Sequence, residues 1–101
     1  MKSDIKTTGV MALDWAAFQG DLHEIQRLIA CGVDLEEGDY DGRTAIHLAA
    51  SEGQEEVVRY LIAKKVNINP KDRMGGTPLT DAIRGNHTKV VELLKKHGAQ
   101  T

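Results

Sequence analysis

Three glycines, Gly9, Gly42 and Gly75, stand 33 residues apart, and the chain around them repeats in the same register without a gap. Met11, Thr44 and Thr77 share one column; Leu13, Ile46 and Leu79 share the next apolar one, and Ala16, Ala49 and Ala82 follow. Later come Ile25, Val58 and Val91, then Leu28, Leu61 and Leu94. Apolar columns stay apolar while most others vary. A unit this short cannot cover its own apolar faces, so the period restricts the fold to copies that bury those faces against each other. The 101 residues hold three such units, at a size that buries roughly two-thirds of the unfolded surface.

Within each copy the signals run in one order, clearest in the middle one. Thr44 is a good N-cap, because its hydroxyl accepts from an orphan amide of the first helical turn. "AIHLAASEG" reads as a short helix with close-packing alanines, ended by Gly53. "EEVVRYLIAKK" reads as a second helix with Val57, Val58, Leu61 and Ile62 on one stripe. "VNINPKDRMGG" is extended, since Pro70 pushes Asn69 away from helical geometry. In the third copy Thr77 caps and Pro78 takes the first helical position, where its missing N–H costs nothing.

The residues "TAIHLAA" at 44 to 50, "TPLTDAI" at 77 to 83 and the terminal "HGA" at 97 to 99 resemble the ankyrin repeat, whose motif contains Thr-Pro-Leu-His. The resemblance covers residues 9–101 and implies an all-α ankyrin-repeat solenoid. Three stacked helix-turn-helix repeats, about 9–41, 42–74 and 75–101, would be joined by β-turn or hairpin-like loops, after a flexible lead-in over 1–8. "MALDWAA" departs most from the motif, as suits an N-terminal capping copy. Lys95, in the column of Ile29 and Ile62, suits a terminal repeat that expects no neighbour. "WAAFQGD" at 15 to 21 and "PKDR" at 70 to 73 are similar to the C-terminal ankyrin segment of glutaminase-type amidohydrolases, and some asparaginases carry a similar tail. Nothing matches a catalytic domain of those enzymes.

Chemistry is sparse. Glu37, Asp39 and Asp41 alternate ahead of Gly42 like the start of an EF-hand loop, but the required twelfth-position glutamate falls on Leu48. The turn reading therefore stands, with no metal expected. The resemblance implies that His47 ties Thr44 and nearby backbone together. No Cys or His pair has zinc spacing. Ser51 lacks a histidine partner, Cys31 is alone, and "RMGGTP" has no lysine after its glycines. No enzyme activity and no cofactor are expected, and alanines at the tight contacts leave little room for a small-molecule cavity. A net charge of −2 gives no reason to expect nucleic acid or an anionic membrane as partner. With one cysteine no internal disulfide forms, so a reducing, intracellular setting, cytoplasmic in the simplest case, is expected.

What remains is surface. The resemblance implies a concave strip of turn tips and first helices that binds another protein. Positions that differ between copies on that strip are Tyr40, Asp41, Arg43, Ser51 and Glu52 in copy two. Copy three adds Arg73, Met74, Gly76, Arg84 and Gly85, and copy one adds Phe18 and Gln19. Trp15 reads equally as a contact or as packing. These types include those enriched at interfaces. Arg43→Glu with Tyr40→Ala is expected to weaken binding with little change in melting. The alternative is an accessory segment of an amidohydrolase, packing on its own catalytic domain or joining subunits by self-association.

Overall fold

A computed structural model describes the backbone of residues 5–39 and 41–101, and the side chains of those residues from Met11 onward. It contains six helices and, among the described residues, no strand: α1 (Ile5–Gln19), α2 (Leu22–Ala30), α3 (Ala45–Ser51), α4 (Glu55–Ala63), α5 (Pro78–Arg84) and α6 (Thr88–Lys96). Each pair, α1/α2, α3/α4 and α5/α6, packs on itself. The first helices form an inner row, α1 on α3 on α5, and α4 lies against α6 behind it. None of these helices is long and apolar enough to cross a membrane.

The repeat columns are the core. Leu13, Ile46 and Leu79 are buried, as are Ala16, Ala49 and Ala82, whose methyl groups let neighbouring first helices approach closely. Leu28, Leu61 and Leu94 bury the second row. Truncating any of these leucines to alanine would cost about 2–5 kcal/mol, from lost transfer and the cavity left behind. The column of Ala17 and Ala50 ends in Ile83, which is 46% exposed on α5, the last first helix among the described residues.

Local chemistry starts α3 and α5 where the sequence predicts. The Thr44 N–H donates to His47 Nδ1 at 3.1 Å. With that lone pair used, Nε2 carries the hydrogen and donates to the Gly76 carbonyl at 2.9 Å, joining the second copy to the third. Thr77 accepts from the Thr80 N–H at 3.3 Å, and Pro78 stands at the start of α5. Between the pairs, Asp39 Oδ1 accepts from the Asp41 and Arg43 amides at 2.9 and 3.0 Å. Asp72 repeats the device on Met74 and Gly76 at 2.9 and 2.8 Å. Gly42 and Gly75 close these turns at φ 74 and 80, a region open to glycine.

Further bonds staple each copy to the next at equivalent columns. Gln54 Nε2 donates to the Phe18 carbonyl at 3.0 Å, and His87 Nε2 to the Ser51 carbonyl at 2.9 Å. Glu36 Oε1 accepts from the Asn67 amide at 2.6 Å, and Asn69 Oδ1 from the Gln100 amide at 2.8 Å. His87, which carries no motif signature in the sequence, is therefore an inter-repeat link.

α1 begins at Ile5, inside the span expected as a flexible lead-in over 1–8, of which residues 1–4 lie outside the described residues. Gly9 is helical although it shares its column with the turn glycines. Asp39 and Asp72 precede Gly42 and Gly75 by three residues, whereas Lys6 stands before Gly9 and offers no acceptor for a turn.

Candidate functional site

The turn tips and first helices enclose two clefts that share Asp41. The first, about 290 Å³, lies between α1, the turn at 39–41 and α3, lined by Met11, Asp14, Trp15, Phe18, Asp39, Asp41 and Leu48. The second, about 490 Å³, lies between the two turns and α5, lined by Asp41, Arg43, Asp72 to Gly76, Thr80, Asp81 and Arg84. The expectation of little cavity does not hold on this face, where the turns stand off from the helices.

Of the expected contact residues, Phe18 joins Asp41 in the first cleft, and Arg43, Arg73, Met74, Gly76 and Arg84 join it in the second. Met74 is 90% exposed at its turn tip. Gln19 and Glu52 are exposed but line neither cleft. Ser51 Oγ is tied to the Leu48 carbonyl at 3.0 Å, and the position of Gly85 is crowded by the His87 ring. Tyr40 lies outside the described residues. Trp15 is a surface residue, 60% exposed, with its ring stacked on Phe18 at 5.6 Å between centroids.

Arg43 is not a plain surface position. Its guanidinium pairs with the buried Asp81 carboxylate at 3.0 Å, across the interface between copies, and Arg84 approaches the other Asp81 oxygen at 3.8 Å. The expectation that Arg43→Glu spares the melting curve is therefore withdrawn: it would set a third carboxylate beside Asp81 and Asp72. Beneath this cleft, ligand atoms of the buried His47 and of Asp72 and Asp81 lie within 4.8 Å of one another, a spacing that suits a metal ion. The chemistry does not, because both imidazole nitrogens are committed and Arg43 already neutralises Asp81. The Gly76 amide first, then the Met74 amide, hold the Asp72 carboxyl below its usual range, with Arg43 adding to them.

Asp14, which sequence reasoning passed over, is the anomaly of the first cleft. It is only 8% exposed, and neither oxygen has a hydrogen-bond donor. Burial, then the negative charge of Asp39, push its pKa up to about 7, against a smaller opposing pull from Arg43. The signal was available: Asp14 occupies the column of His47 and Thr80, so an acid stands where a capping group belongs.

A model of ankyrin repeats in three copies matches residues 13–101. The rat mitochondrial liver-isoform glutaminase is 45% identical over 95 residues, 93% of this chain and 16% of that protein. Serine/threonine-protein kinase 12 of Arabidopsis thaliana is 41% identical over 92 residues, 91% of this chain and 20% of that protein. An L-asparaginase of Dirofilaria immitis is 36% identical over 87 residues, 86% and 15% of the two chains. The likeness to glutaminases and asparaginases expected from "WAAFQGD" and "PKDR" is thus found, and the chain spans about a fifth or less of each of these relatives. With three copies matched over helix pairs that stack in the same 33-residue register, the chain belongs to the ankyrin-repeat family.

Proposed function

We propose that the chain is a non-catalytic protein-interaction module that binds a partner along a concave strip of turn tips and first helices. One observation carries the reading: the two clefts run on through Asp41 and present exposed Trp15, Phe18 and Met74 beside charges of both signs. Exposed aromatic, methionine and arginine side chains on one surface are the composition of interface cores. The staples between copies hold that surface before docking, so little conformational entropy is lost on binding. The exposed lone Cys31 supports a reducing, intracellular setting. The test is capture of partners by the wild-type chain followed by substitution. Met74→Glu with Arg84→Glu should release them, while exchanges on the second helices at Gln26 and Glu92 should not; the opposite pattern defeats the proposal.

A second reading is favoured by the glutaminase and asparaginase relatives. The same strip would then dock on a catalytic domain in cis, or join subunits, in an amidohydrolase. Light scattering on the pure chain, and on the chain mixed with such a domain, separates the two; a monomer that ignores the domain removes this reading.

A further inference from the structure

The first cleft carries more than a general surface. Asp14 is a carboxylate more than nine-tenths buried, without a donor, in the wall of an open cleft. Asp39 and Asp41 add negative charge from the turn, and the paired rings of Trp15 and Phe18 supply an apolar face beside them. An anion would meet three carboxylates. An apolar group would seal Asp14 away from water with nothing to bond it. A cation with a flat apolar face satisfies both halves. At about 290 Å³ the cleft falls just below the range of drug-sized sites and has the scale of a socket for one side chain.

We propose that this cleft receives an arginine side chain from a partner polypeptide, its guanidinium lying on the face of Trp15 and forking onto Asp14 and Asp39. Arginine is chosen over lysine because its planar head stacks on rings, is weakly hydrated, and matches carboxylates in pairs, whereas an ammonium is a hydrated point charge. The inference rests on the strip being a binding surface and names what its first cleft reads. It also makes recognition pH-dependent, since Asp14 must be ionised to pair. The charged groups facing it are Asp39, Asp41 and Arg43 from the turn. α3 contributes only Leu48, because His47 is turned toward Gly76, and the described α1 neighbours Met11, Trp15 and Phe18 are uncharged.

Trp15 is the single tryptophan, so its emission reports from the cleft itself. The full chain is titrated with a blocked Gly-Gly-Arg-Gly-Gly peptide and with its lysine and citrulline counterparts, with calorimetry alongside for binding that leaves emission unchanged. The arginine peptide should saturate, with lysine several-fold weaker and citrulline weaker by about tenfold or more, since citrulline keeps the shape without the charge. Affinity for arginine should fall about tenfold between pH ~8 and pH ~6, as Asp14 takes up its proton. Asp14→Asn, checked for folding by circular dichroism, should weaken binding and remove that pH dependence.

Equal binding of citrulline, a flat pH profile, or no saturation up to on the order of 10 mM overturns the socket. Equal binding of lysine overturns the choice of arginine. The two proposals fail separately. A captured partner that survives Asp14→Asn but is lost with Met74→Glu and Arg84→Glu removes the socket and leaves the strip; one that survives both removes both.

Discussion

Asp14 makes the sharpest stability prediction. In the unfolded chain its carboxyl titrates near 3.8, and in the fold near 7, because burial and Asp39 penalise the charge. Between those values the folded chain holds a proton that the unfolded chain has released. Stability therefore falls as pH rises, by about 1.4 kcal/mol per unit, to a total of about 4 kcal/mol. Water reaching the open cleft screens the charge, so on the order of half that figure is expected in solution. Asp14→Asn keeps the shape and cannot ionise. Urea unfolding of both proteins between pH ~5 and pH ~8 isolates the effect, since all other titrating groups are shared. The variant should be the more stable throughout, with the gap widening by about 1–3 kcal/mol toward the alkaline end and levelling once Asp14 is ionised. Asp72, with its carboxyl held low, acts in a separate window: the stability it adds is lost only on acidification below the usual carboxylate range. A constant gap between the two curves, or a wild type that gains on the variant as pH rises, would refute the account of Asp14.

Other consequences follow from the links between copies. Arg43→Ala strips the buried Asp81 of its partner at 3.0 Å and should lower unfolding free energy by about 2 kcal/mol, the ion pair being partly solvated; an unchanged urea midpoint would contradict it. Lys65 holds φ 63 in the column where Gly32 and Gly98 stand, so Lys65→Gly should stabilise by about 0.5–1 kcal/mol, read as a rise in thermal midpoint. Gly53→Ala would bring a Cβ to 2.5 Å from the His87 ring at φ 70, displacing the bond to Ser51. A loss of about 2 kcal/mol or more is expected by calorimetry, against near-neutrality if that ring is not an inter-repeat link.

The helix pairs were legible because each boundary is set by local chemistry: Thr44 and Thr77 cap, Pro78 opens α5, and a glycine closes each turn. The first copy departs at Gly9, which shares the register of the turn glycines but is helical, with Lys6 in the column of Asp39 and Asp72. Arg43 was legible as variable but not as structural, since its partner Asp81 lies 38 residues on and only stacking brings them together. Asp14 was marked by its column, yet its burial depends on how the turn at Asp39 closes over α1, which no local pattern encodes. Exposure of Trp15 has the same origin, because the cleft beside it is made by three separate elements.

The claim on which the rest depends is that binding lies on the strip and not on the back of the stack. Its most direct measurement is a set of Kd values for one captured partner against two groups of folded variants. One group alters the strip at Phe18, Met74 and Arg84; the other alters exposed positions of the second helices at Gln26, Glu56 and Glu92. The account predicts that strip variants weaken Kd by about tenfold or more, some 1.4 kcal/mol, while second-helix variants stay within about twofold. Wild-type affinity throughout the strip group, with losses confined to Gln26, Glu56 and Glu92, would contradict it.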